Sequence, residues 1–184
     1  GGLVLKKSEG EKMLEAYHSL YPNIRKYFHK WIRECLDKNM TLYTPPPFNR
    51  RRLFFGRKFS SDVYREGYAE IPQSVVVDVC NTGLKRLTYD YDHNHGYDVR
   101  LQAHDAVYVQ CRKKELWDVW RRMDDAMKVE IEFYPFCPYA YREPLIIPRD
   151  FAVGRKLGEM KKFKKMNEME IKEWMENVEM ELEE

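Results

Sequence analysis

Three short stretches of this sequence hold side chains that could do chemistry. In Leu101-Gln102-Ala103-His104-Asp105-Ala106 an imidazole and a carboxylate sit side by side between two alternating runs, Val99–Ala103 and Val107–Cys111. That pattern predicts a β-hairpin with a tight polar turn. A hairpin holds its turn rigidly and projects a carboxylate beyond the sheet edge. Such a carboxylate suits a hard divalent cation, which takes one or two of them and leaves room for phosphate oxygens and water. Alone, the pair fits an ordinary turn better, because Asp is common there, and it is the flanking hairpin strands that favour the cation. The second stretch, Asn49 to Lys58, interleaves Arg50, Arg51, Arg52, Arg57 and Lys58 with Leu53, Phe54 and Phe55. It reads as a phosphate-contacting loop or as a solvated basic turn. The third, Asp90 to Gly96, holds His93, His95, Asp90 and Asp92. Turns favour these residues anyway, so a turn is expected over a metal site.

The elements that must position these residues follow from periodicity. Apolar residues recur at three- and four-residue steps from about Glu9 to Asp37, predicting a long helix or two, broken or restarted at Pro22. Asn39 is the expected stop, and Pro45-Pro46-Pro47 reads as a stiff extended loop. A second helical region is expected from about Asp62 to Tyr89, with Pro72 at a helix N-terminus and Val75, Val76, Val79, Leu84 and Leu87 on its stripe. Lys113–Lys128 predicts a helix, and 129–133 and 145–147 predict strands. From Gly158 a final helix is expected, with Phe163, Ile171, Trp174, Met175, Val178 and Leu182 facing inward. Helices interrupted by a hairpin and short strands make an α+β fold.

The chain has 184 residues, enough for one domain or one domain with a tail. Hydrophobic residues make up 43% and aromatic residues 14%, which supports a core and argues against wholesale disorder. No apolar run is long enough to span a membrane, and the start does not read as a secretion signal. Cys35, Cys80, Cys111 and Cys137 are far apart with no C-x-x-C pair, so reduced thiols in a cytoplasm are expected. The net charge of +2 hides a division. Residues 159–184 carry nine Glu and five Lys, a net of −4, which leaves +6 for the body. A basic body suits a phosphate-rich partner.

The order of these features resembles the C-terminal part of family A DNA polymerases, the bacterial DNA polymerase I type. The matching pieces are Tyr21-Pro22, Thr41 through Arg50-Arg51-Arg52, Arg65, Ile71-Pro72-Gln73-Ser74, Leu101 through Ala106, Pro144-Leu145 and Gly154. They fall in the family's order over roughly residues 10–158. The resemblance implies a palm portion over 1–158, its β-hairpin carrying the metal-binding turn, with 159–184 as an amphipathic helical extension. It implies that Asp105 is one of two aspartates holding a Mg²⁺ pair and that His104 positions the primer 3′ end. It also implies that Arg65 and Gln73 contact the primer–template duplex, largely in the minor groove and on the backbone. Correct base pairs present equivalent acceptors in the minor groove, so such donors can sense pairing without reading sequence. The implied reaction is attack of a primer 3′-hydroxyl on a deoxynucleoside triphosphate.

The departures from the family are specific. Ala106 stands where the family has Glu, Ala69 stands where it has Asn, and Arg155 rather than Trp follows Gly154. Motif A and the fingers helix are not found. A polymerase built on this chain is therefore expected to need a second polypeptide carrying both, as in a split form, or else the chain is a fragment. A viral genome, expressed in a bacterial cytoplasm, is a natural setting for such a split. A competing reading is a non-catalytic nucleic-acid-binding or assembly subunit derived from such a polymerase. The tail's charge order opposes the helix dipole, so its apolar stripe must dock either on its own domain or on a partner.

Overall fold

A computed structural model describes residues 6–90, 96–163 and 168–180. The fold is α+β, with five α-helices and three two-stranded antiparallel sheets among the described residues. Two compact units divide it: Gly1–Val79 with Glu130–Ile146, and Cys80–Val129 with Ile147–Glu184. No helix among the described residues is long and apolar enough to cross a membrane.

In the first unit, α1 spans Lys7–Leu20 and opens where the Lys6 amide donates to Glu9 Oε2 at 2.8 Å. None of its residues is buried, and Met13, Leu14, Tyr17 and Leu20 all face water. The chain leaves helical geometry at Tyr21 (φ −123°, ψ 63°), just before Pro22. The expected break therefore falls where the proline ring restricts its predecessor. A π-helical turn, Ile24–His29, leads into α2, Lys30–Asn39, which buries Trp31, Ile32 and Leu36. Helix α2 stops as predicted after Asn39, with Met40 taking the left-handed cap (φ 53°) and its amide donating to Leu36 O at 2.9 Å.

The segment read as an extended loop and a basic loop contains a hairpin. Strand β1, Thr41–Tyr43, pairs antiparallel with β2, Arg51–Leu53. Helix α3 then runs from Ser61 to Lys85, followed by a π turn, Arg86–Asp90. Pro72 lies inside α3 rather than at its start. The residues before Pro72 carry Val63, Gly67, Glu70 and Ile71 inward, so burial holds the helix across a position lacking an amide donor. Gly67 lets α3 approach α2 closely: a Cβ there would lie 2.6 Å from Leu36 Cδ1 and 3.0 Å from Ile32 Cγ2. The predicted strands at 129–133 and 145–147 reduce to one bridge, with Ile131 and Leu145 exchanging both backbone bonds at 2.9 Å. Pro135, Pro144 and Pro148 lack the amides a longer ladder would need.

In the second unit, β3, Tyr97–Ala103, pairs with β4, Ala106–Cys111, with a bulge between Val99 and Leu101. A 3₁₀ turn, Lys113–Glu115, opens into α4, Leu116–Met127, as the spacing predicted. The chain end differs from the single helix expected after Gly158. Strand β5, Phe151–Val153, pairs with β6, Lys161–Phe163, and α5 spans Glu168–Met180. The reversal between those strands needs Gly154, since a Cβ there would come 2.8 Å from Glu159 O. Phe163 is therefore a strand residue, buried in a cluster with Val153 and Ile171 and covered by Leu116, Trp117 and Phe151. Ile171 thus docks α5 on its own unit. The side chains of Trp174, Met175 and Val178, and all of Leu182, lie outside the described residues.

Candidate functional site

The β3–β4 hairpin turns through two residues, His104 and Asp105, with Ala103 opposite Ala106. Both turn residues are exposed, and His104 takes the left-handed conformation (φ 52°). Histidine tolerates that region better than branched or bulkier residues do. The last turns of α3 hold the hairpin from beneath. The Cys80 thiol donates to the Asp105 carbonyl at 3.1 Å, and Gln102 Nε2 donates to Asn81 Oδ1 at 3.0 Å. Burial, and then the Asp105 charge, push the Cys80 thiol above its ordinary pKa, so it stays protonated and remains a donor. The turn is thus fixed through its main chain. No hydrogen bond or ion pair engages the Asp105 carboxylate among the described residues.

The donor set at this turn is one carboxylate beside one imidazole. Among the described residues no group of three or more His, Cys, Asp or Glu could hold a metal ion. A single carboxylate fits a Mg²⁺ ion only in part, because that ion draws its remaining ligands from water, phosphate oxygens and a further carboxylate. Residues 91–95, with both histidines of the polar turn, lie outside the described residues.

The three consecutive arginines of the first unit have different surroundings. A strand sends successive side chains to opposite faces, and Arg50 and Arg52 both meet α3. Arg50 Nε lies 3.0 Å from Asp78 Oδ1, and its Nη2 donates to Ser74 O at 3.3 Å. Arg52 pairs with both Glu66 and Glu70. Glu70 is buried and also accepts from Ser74 Oγ at 2.7 Å. These two arginines, expected to hold phosphate, are occupied as struts between the β1–β2 hairpin and α3. Arg51 is exposed and has no carboxylate partner among the described residues. The signal for the struts was present in the sequence as polar residues at helical spacing, Glu66, Glu70 and Ser74 recurring every four residues.

Arg65 and Gln73 are exposed on α3. Among the described residues Arg65 pairs only with Asp62, one turn away, and both side chains are mostly in water, so the pair holds it weakly. Eight residues separate Arg65 from Gln73, and on an α-helix that spacing sets both side chains within about 80° of each other. Position 69 lies between them, also exposed, and is Ala. The residues that sequence reasoning did not single out are Cys80, Asn81 and Glu70, which hold other parts in place.

No family model matches this chain, and no match was found among curated proteins.

Proposed function

We propose that this chain is the C-terminal palm portion of a family A type DNA polymerase. It would catalyse template-directed nucleotidyl transfer only together with a segment carrying motif A and the fingers. The observation that carries this reading is the Gln-x-His-Asp sequence at the tip of a β-hairpin, with the Asp105 carboxylate exposed and uncommitted. The ordered motifs from Tyr21-Pro22 to Gly154 support it.

On this reading Asp105 would contribute one carboxylate to Mg²⁺, and the bound ions would neutralise charge on the transferring phosphoryl group. His104, beside it on the same anchored turn, would orient the primer end. Gln73 and Arg65 would lie along the duplex as hydrogen-bond donors, and Arg51 would meet phosphate. Arg50 and Arg52 would support that surface from behind. Cys80 would keep the turn in place through the Asp105 carbonyl.

Ala106 favours a second reading, a nucleic-acid-binding subunit without catalysis, because it leaves the turn with a single acid. One substitution separates the two. Asp105→Asn keeps the shape and removes the charge. Primer extension by the chain assembled with its fingers-bearing segment should fall by several orders of magnitude while DNA affinity holds. Ala106→Glu should preserve or raise extension. Equal extension by Asp105→Asn and the parent would leave the binding reading in its place.

A further inference from the structure

The loop between β2 and α3 holds two aromatic rings in water. Phe55 is 88% exposed and Phe59 63% exposed, whereas the adjacent Phe54 is buried. Arg51, Arg57 and Lys58 flank them in sequence, all exposed. Unlike Arg50 and Arg52, these three cations meet no carboxylate among the described residues. The Lys58 ammonium instead lies 5.4 Å from the centroid of the Phe59 ring.

The loop is anchored at its start and at Gly56, and a turn closes it before α3. The Phe54 amide donates to Met40 O at 2.9 Å, the Ser60 amide to Arg57 O at 3.2 Å, and the Tyr64 amide to Ser60 O at 3.2 Å. Gly56 packs on α3 so closely that a Cβ would come 2.9 Å from Val63 Cγ2. Phe59 is held at φ 65°, a left-handed conformation that strains a bulky residue. Strain of this kind persists only where the surroundings impose it, and it gathers at ligand-holding segments. Both rings are therefore presented to solvent against hydration, and Phe59 against backbone preference as well.

Exposed ring faces among cations without counter-ions match one ligand chemistry. A single nucleic-acid strand offers a π-face at every base and an anion at every linkage, and stacking tolerates any base. A duplex offers the phosphates but keeps its base faces inside. An acidic peptide would use the cations and leave the rings unmatched. We propose that Phe55 and Phe59 stack on unpaired bases of a single strand whose phosphates are held by Arg51, Arg57 and Lys58. Under the polymerase reading this strand is the unpaired part of a primer–template, but the site itself requires no catalysis.

The test is fluorescence anisotropy of a labelled oligothymidylate titrated with the full chain. Phe55→Leu keeps apolar bulk and loses the ring, so binding should weaken about tenfold, the scale of one stacked base. Phe55→Trp should bind at least as tightly as the parent. Replacing Arg51, Arg57 and Lys58 by Ala should flatten the salt dependence by about 0.7 log unit per log salt for each phosphate no longer neutralised. Asp105→Asn should bind the oligonucleotide like the parent whether or not extension is lost, which separates this site from the catalytic reading. The proposal is overturned if the parent does not bind the oligonucleotide, if Phe55→Leu binds as the parent does, or if blunt duplex binds as tightly as the single strand. Parent binding to anionic lipid vesicles with none to the oligonucleotide would assign the loop to a membrane surface and overturn it as well.

Discussion

Arg51 and Arg52 are neighbours in sequence and should answer substitution in opposite ways. Replacing Arg52 by Ala strips both Glu66 and Glu70 of their partner. Truncating one side of a fully buried ion pair costs about 3–5 kcal/mol, because the remaining charge is left desolvated. Here the Glu70 side chain is 6% exposed but that of Arg52 is 41% exposed. Ser74 Oγ, which donates to Glu70 Oε1 at 2.7 Å in the parent, should remain as a partner in the variant. Those two facts bring the Glu70 contribution down to about 2 kcal/mol. The Glu66 pair, open to water on both sides, adds about 0–1 kcal/mol. A loss of about 2–3 kcal/mol lowers Tm by about 4–12 °C in a chain of this size. Arg51→Ala removes no such partner and should stay within about 0.5 kcal/mol of the parent. Binding should invert the order. On a primer–template with an overhang, Arg51→Ala should reduce the salt slope by about 0.7–0.9, and Arg52→Ala should leave it unchanged. Calorimetry and anisotropy on the two variants give all four values. Equal Tm losses, or equal changes of slope, would refute the division of the arginines by the strand's two faces.

Ile171→Ala should cost about 2–5 kcal/mol in thermal or denaturant unfolding, because its side chain closes the cluster of Val153 and Phe163; a loss below about 0.5 kcal/mol would remove α5 from that cluster. His29 stacks on Tyr68 with centroids 3.8 Å apart, and burial first, then the charges of His18, Arg33 and Arg25, hold its pKa below the ordinary value. The unfolded chain therefore takes up this proton first as pH falls, so the contribution of His29 is complete above about pH 6.5 and is lost as pH drops toward the folded value. His29→Phe keeps a ring on Tyr68 and should show a smaller loss of Tm between pH 7 and pH 5 than the parent, and an equal loss would dismiss the assignment.

What was legible in the sequence depended on length and period. Helices α2, α3 and α4 announce themselves by apolar residues at three- and four-residue steps, and the β3–β4 hairpin by clean alternation around His104-Asp105. Strands of three residues carry too few positions for a period, so β1, β2, β5 and β6 were invisible. Proline misled at position 72, since burial on both sides outweighed the missing amide. The uneven roles of the arginines could not be read locally, because their counter-charges lie 18 residues away for Arg52–Glu70 and 28 for Arg50–Asp78. Burial of Cys80 was predictable from its residue type. Its bond to the Asp105 carbonyl was not, because a main-chain acceptor leaves no trace in side-chain chemistry.

That bond separates the position of the hairpin turn from the chemistry of its side chains. The thiol grips a carbonyl that every amino acid possesses, so the turn would keep its shape whichever side chain stood at 105. Selection could then silence or restore an acid at this point in a single step, with the scaffold bearing none of the cost.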